Sequence, residues 1–554
     1  MNRRRNADAS AHPFACAFAT QHLAGQLDRR AFLTRATALG LTATAAYGLI
    51  GQPAPAQDAT GAGGGTLRIQ MDVRPLKDPR IWDWPQIANI CRGWLEYLVE
   101  YDEDGTLHGM LLEGWEASEN AATYTLFLRE GIRWSNGARL TADDVAWNIR
   151  RWCEAEVPGN SMATRMNALV DPATGQAREG AIEVVDAGTI RLNLPAPDIT
   201  LIPNMSDYPA AIVHPSYDGG DPAAAPIGTG PFRPVEHVPG ARAVLERNTD
   251  HAWWGTAIFG DTLLDRIEFI DYGTDPASWL AALQADEVDM LFESVGEFIG
   301  ILDEAGFVRS EATSSNTIVV RTNQGALVDG ARPYADAAVR RALALACDNA
   351  IVLELGYGGR GTLAENHHVS PLHPEYADMP PPAFDPAAAR EALQAAGLGS
   401  YEHELISIDD DWRKNTCDAV AALLRDAGIP VRRRILPGAE FWDNWKTYPF
   451  SATDWNHRPL GVQALMLAYR SDAAWNETGF SNAEFDALLA EAVALTDAEA
   501  RRAVMARLQQ ILRDEGVIIQ PYWRTIYRHM RPGVRGARMH PSFELHPYAL
   551  GLET

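Results

Sequence analysis

Between His403 and Leu436 the chain writes a strand, "HELISID", then a helix, "NTCDAVAALLRDAG", then a second strand, "PVRRRIL". A strand–helix–strand unit places its two strands parallel and its helix across one face of the sheet, because a tight turn joins only antiparallel neighbours. Everything built around such a unit is an α/β layer. The rest of the chain agrees with that class. Strands are expected at "TLRIQM", "ARAVLERN", "LLDRIEFIDY", "NTIVVRTN" and "VIIQPYWRTIYRHM". Helices are expected at "DPASWLAALQ", at "DPAAAREALQAAGL", and over "YADAAVRRALALACDNAIVLELGY" with a break at Asp348-Asn349. Ile87, Ile90, Cys91, Trp94, Leu95 and Leu98 recur at helical spacing. Thr141, followed by Asp144, reads as a near capping box that opens another helix.

A chain of 554 residues is too long for one small core, so two or three lobes are expected. The Pro/Gly/Ala-rich stretch 214–232 marks a crossing between them, with Gly228, Gly230 and Pro231 reversing the chain.

The N-terminal segment "LDRRAFLTRATALGLTATAAYGLIGQPAPAQ" (27–57) constrains the location. Arg29 and Arg30 precede Phe32-Leu33, a sixteen-residue apolar run follows from Ala36 to Gly51, and Ala54-Pro55-Ala56 ends it. The run is shorter than the roughly twenty residues of a membrane span. A basic region, a modest apolar core and an A-x-A end read as a cleavable signal, of the twin-arginine type that exports folded proteins. The expected mature chain begins near Gln57 and is periplasmic, after an unstructured extension over residues 1–26 and before a flexible linker at 57–65. The alternative is an N-terminal helix that belongs to the mature fold.

Formal charge is −25 for the whole chain. The first 56 residues carry six arginines and two aspartates, so the remainder stands at −29. That excess argues against nucleic acid and anionic membrane as partners. Cys91, Cys153, Cys347 and Cys417 are widely spaced, and Cys91 and Cys347 sit in apolar helical patterns as small buried hydrophobes. One disulfide remains open, since export permits it. No G-x-S-x-G, H-E-x-x-H or phosphate loop occurs, and no enzymatic function is expected.

Four stretches, in order, resemble the extracellular solute-binding proteins of family 5: "LREGIRWSNGARLTADDVAWNIRR", "PIGTGPFRPVEHVPGARAVLERNTDHAWW", "VRRALALACDNAIVLELGYGGRGTLAENHHVSPLHP" and "GFSNAEFDALLAEA". The resemblance implies two α/β lobes joined by a hinge, a periplasmic-binding-protein-like fold, with an extra inserted domain (cluster C type). It places lobe I at 66–108, 224–321 and 520–554, the inserted domain at 109–223 and lobe II at 322–519. It implies a monomeric receptor that passes a peptide-like, oligosaccharide or metal-chelate ligand to ABC permease subunits in the inner membrane, without a cofactor.

Sixteen tryptophans are more than ordinary usage, and Trp82, Trp84, Trp412, Trp442, Trp445 and Trp455 stand beside polar or turn residues, where flat faces suit stacking. The resemblance puts Trp82 and Trp84 on a ligand-facing loop and Trp455 on a pocket loop. Dipeptide binders of the family carry an aspartate in that loop, and here Asn456, His457 and Arg458 stand in its place. Arg413 lies near where they hold an arginine for a carboxylate. The candidate ligand-binding set is Trp82, Trp84, Asn366, His367, Trp412, Arg413, Trp455, Asn456 and Arg458. With Arg458 facing inward, a ligand bearing a carboxylate or several hydroxyls is expected. His367, His368 and His373 raise a weaker metal-site reading, because no carboxylate pattern accompanies them.

Overall fold

The computed structural model describes residues 12–52 and 64–553. Its spine is one twelve-stranded sheet running through both lobes. At one end Thr66–Gln70 pairs parallel with Arg266–Ile270 and Met290–Leu291, and the hairpin Phe232–Val238/Arg242–Arg247 closes that edge. At the other end His403–Ile408 pairs parallel with Val431–Leu436, the unit expected from the sequence, and Trp412–Asp426 is its crossover helix. The long antiparallel strands Val308–Thr322 and Tyr522–Met530 join the two ends. Their register shifts between Thr313 and Thr317. The inserted domain is built on a separate antiparallel sheet in the order 112–117, 123–128, 189–193, 182–186.

Local signals in the sequence are realised for identifiable reasons. Thr141 and Asp144 form a reciprocal capping box on the helix Ala142–Trp152, whose apolar face (Val145, Ile149, Trp152) is buried. Asp348 caps the helix Asn349–Tyr357 and so produces the expected break.

Two expectations are corrected. The helix after Trp84 spans only Pro85–Cys91. Trp94, Leu95 and Leu98 are buried beyond its end, in a stretch that leads into the strand Val99–Tyr101. Gly228 and Gly230 are also required by close approach. A Cβ on Gly228 would lie 1.8 Å from the Trp94 carbonyl oxygen, and one on Gly230 would lie 2.7 Å from that of Gly93.

The second correction concerns the N-terminal residues. Pro13–Leu23, within the expected unstructured extension, is a helix, and so are Arg29–Ala38 and Ala43–Leu49. Phe18, Phe32, Leu33 and Ala36 are buried with the main core. The Ala54–Ala56 end of the expected signal and most of the linker lie outside the described residues. Cys91, Cys153, Cys347 and Cys417 are buried and form no disulfide among the described residues. Burial pushes the Cys153, Cys347 and Cys417 thiols up to about 12.

Candidate functional site

The site begins where the strand Phe450–Trp455 runs out beside the bulge in Val308–Thr322. The bulge frees Ser315 and Asn316 from the ladder, and both turn to the loop after Trp455. The His457 amide donates to Asn316 Oδ1 (3.0 Å), and the Ser315 amide donates to His457 Nδ1 (3.1 Å). Burial, with a smaller contribution from Arg30, holds His457 well below its ordinary value, so it is a neutral acceptor here. From the other side His373 Nε2 donates to the Arg458 carbonyl (3.1 Å), while its Nδ1 accepts from the Ser370 amide (2.9 Å).

Arg458 is thereby aimed at the opposite half. Its Nε lies 2.9 Å from Asp207 Oδ2, and its Nη1 donates to the carbonyls of Asn456 and His457. Arg165 holds the same carboxylate at 2.6 Å. Burial alone would raise Asp207, but the two guanidinium groups outweigh it and hold its carboxyl below the ordinary value.

A small cavity opens beside this pair. Asp83, Trp84 and Tyr208 line it on one side; Trp442, Trp445, Thr453–Asn456, Arg458 and Trp475 line it on the other. Its walls are aromatic. Trp84 and Trp442 meet with centroids 4.2 Å apart at 61°, and Trp455 and Trp475 at 5.9 Å and 66°. Trp455 Nε1 donates to Glu477 Oε1 (2.9 Å), which also receives Thr453 Oγ1. Arg321, 2.8 Å away, neutralises Glu477. The indole N–H groups of Trp84 and Trp442 are buried and meet no acceptor among the described residues. The charged groups at the walls already have ionic partners: Asp454 with Arg413 (2.7 Å), Asp83 with Lys77 (2.8 Å), Arg458 with Asp207.

Of the residues expected from the sequence, the cavity gathers Trp84, Trp455, Asn456 and Arg458. Arg413 stands behind the wall, clamped between Asp410 and Asp454, rather than facing a ligand. Trp82 turns away and donates to the Lys77 carbonyl (2.6 Å). Trp412 lies under the Arg524 guanidinium at 3.7 Å. Asn366 sits at φ 62° and accepts from the Gln520 amide, and His367 faces Glu365 and Gln509. The three histidines do not converge, since His368 meets the Tyr469 hydroxyl and His373 the Arg458 carbonyl. Among the described residues no group of three or more metal-ligating side chains is found. Asp83, Tyr208, Asp207, Glu477 and Trp475 were not anticipated. Trp475, in "AAWNETGF", stands beside polar residues as the other candidates do, and the same rule would have found it.

Residues 106–477 match the model of the bacterial extracellular solute-binding proteins, family 5 middle. The chain is 26% identical over 473 residues to heme-binding protein A of Haemophilus influenzae, covering 79% of this chain and 83% of that protein. It is 24% identical over 476 residues to a dipeptide-binding protein of Pseudomonas aeruginosa, covering 80% and 86%. Among solved structures, the complex of Haemophilus influenzae OppA with RPPGFSPFR superposes with a TM-score of 0.78 at 18% identity, covering 89% of this chain and all of that one.

Proposed function

Because the chain belongs to the bacterial extracellular solute-binding proteins of family 5, we propose that it is the substrate-binding receptor of an ABC importer. It captures a small solute, a short peptide or a related amino-acid derivative, between its lobes and delivers it to permease subunits in the inner membrane. The observation that carries this reading is the cavity walled by both halves, with Trp84 and Tyr208 facing Trp442 and Trp455. A ligand touching both walls stabilises the closed form by its differential affinity for that form. The relatives named for dipeptides and the nonapeptide complex support a peptide-like ligand.

The pairing of Arg458 with Asp207 changes how a carboxylate would be held. A ligand carboxylate reaches Arg458 only by competing with Asp207. The aromatic walls and the paired charges therefore also support an oligosaccharide, which needs acceptor-rich contact and no free ion. A thermal-shift screen over di- and tripeptides, oligosaccharides, opine-like acids and metal chelates separates these classes, because a bound ligand raises apparent stability by mass action. Stabilisation by sugars alone would overturn the peptide reading.

Periplasmic residence after twin-arginine export belongs to the same proposal and rests on the Arg29-Arg30-x-Phe-Leu pattern. Replacing both arginines with lysine should trap the precursor inside the cell; unaltered export would remove the twin-arginine part.

A further inference from the structure

The helix Arg29–Ala38 lies between the two halves of the receptor and bonds to both. On the first-lobe side Thr34 Oγ1 donates to the Gly105 carbonyl (2.6 Å), the Leu107 amide donates to Thr37 Oγ1 (2.9 Å), and Arg30 reaches the carbonyls of Glu103 (2.8 Å) and Thr313 (3.2 Å). The inserted domain contributes Trp115, whose indole donates to the Ala38 carbonyl at 2.7 Å. On the second-lobe side Arg35 pairs with Glu375 at 3.5 Å, and Arg502 donates to the Gln26 carbonyl. Phe32 and Leu33 are fully buried in the seam. The fit with Gly105 is close, since a Cβ there would stand 2.2 Å from Arg30 Cγ.

We propose that this N-terminal helix, for as long as it stays on the chain, is a clasp in cis that fastens the lobes together and keeps the receptor closed without ligand. The occupant of the interlobe groove is thus a segment of the chain itself. The clasp is built to let go. Arg35 Nε and Nη1 meet no acceptor among the described residues, and Arg501 and Arg502 crowd the same cation, so its burial is poorly compensated. Docking also has a cost for export. It hides Phe32 and Leu33, part of the stretch by which an exporter would recognise a twin-arginine signal, so recognition and clasping exclude each other. Processing after Ala56 would remove the clasp and leave the lobes free to open.

The test uses the full chain, with Cys16→Ser, a reporter thiol at Asn456→Cys on the cavity wall, and a specific protease site placed within residues 57–63. Maleimide labelling of the reporter and the radius of gyration are followed before and after cutting the folded protein. The expected result is labelling at least tenfold faster after the cut, with a larger radius and the segment lost on gel filtration. A segment retained after the cut, with labelling still slow, also supports the clasp, provided that Arg35→Gln or Thr34→Asp then releases it and speeds labelling. Rapid labelling of the intact chain overturns the proposal. So does a rate that neither the cut nor both segment variants alter. The cut arm leaves the body's sequence intact if a segment variant misfolds. No ligand is used, so failure here leaves the receptor reading standing.

Discussion

Two seams hold the halves of this molecule together, and they are made differently. At the cavity the inserted domain meets the second lobe directly: Arg458 meets Asp207, and Gln463 Nε2 donates to Asn204 Oδ1 at 2.7 Å. At the N-terminal helix they touch through a third party, which bonds to Gly105 and Leu107 on one side and to Glu375 on the other. In the direct seam one carboxylate serves two buried guanidinium groups, Arg165 and Arg458. In the indirect seam one guanidinium reaches a single carboxylate at 3.5 Å. Charge-assisted contacts weaken with distance and with missing partners. The cavity seam is therefore the one with the shorter ion pairs, and the N-terminal seam the one with the longer.

The largest way to break that contrast is Asp207→Ala. It leaves two buried cations without their shared counter-ion, and loss of one partner from a buried pair costs about 3–5 kcal/mol. Denaturant unfolding should register a loss of that size, well above the effect of disturbing the N-terminal seam. A loss below about 1 kcal/mol would mean that the direct seam is not the stronger one.

Acid should attack the direct seam next. His373 holds the Arg458 carbonyl and is pushed down to about 4 by burial, against an ordinary value near 6.5. It is a base kept neutral in the fold, so the unfolded chain binds the proton first. Its contribution is complete above about pH 6.5 and is lost as pH falls toward 4. The slope is at most about 1.4 kcal/mol per pH unit for one such proton. His368, pushed down to about 3, adds a parallel loss that extends further into acid. In His373→Asn the stability between pH 6.5 and 4 should vary less steeply. An unchanged slope would assign the acid sensitivity to other groups.

The two seams were unequally legible in the sequence. Period-two strands, capped helices and the strand–helix–strand unit report local physics, and those elements stand where the pattern puts them, as at His403–Leu436. Asp207 and Arg458 are 251 positions apart, and nothing local to either announces the pair. A tryptophan beside polar residues reads alike whether it walls a cavity, as Trp84 does, or closes on its own turn, as Trp82 does through the Lys77 carbonyl. From composition the twin-arginine stretch is expected to be an export signal. Its docking was not legible there, because it depends on Gly105, Trp115 and Glu375 meeting in one groove.

Glu375→Gln sharpens the contrast at the second seam. It keeps the shape and removes the charge opposite Arg35, while the oxygen that accepts from the Val462 amide can remain. A hydrogen bond to a charged group is worth about 1.5–3 kcal/mol. The intact chain should lose that much, and the cut chain, freed of its segment, should lose clearly less. Equal losses would make Glu375 a residue of the body alone, supporting Arg501 rather than the clasp.

The smallest expected effect lies at the cavity wall, where the ion pairs of both seams are left in place. Trp84 and Trp442 face each other at 4.2 Å, and both indole N–H groups lack an acceptor. In Trp84→Phe the aromatic contact is reduced and an unsatisfied buried donor is deleted. Deleting such a donor relieves a penalty, so the unliganded protein should be no less stable than the parent despite its smaller ring. Binding should respond in the opposite sense if the indole donates to a ligand oxygen in the closed form. The identified ligand would then bind about tenfold more weakly, the equivalent of one hydrogen bond. Isothermal titration beside a melting curve separates the two cases. Unchanged affinity with unchanged stability would make Trp84 a flat wall, and ligand recognition would rest on Asn456, Arg458 and the other tryptophans.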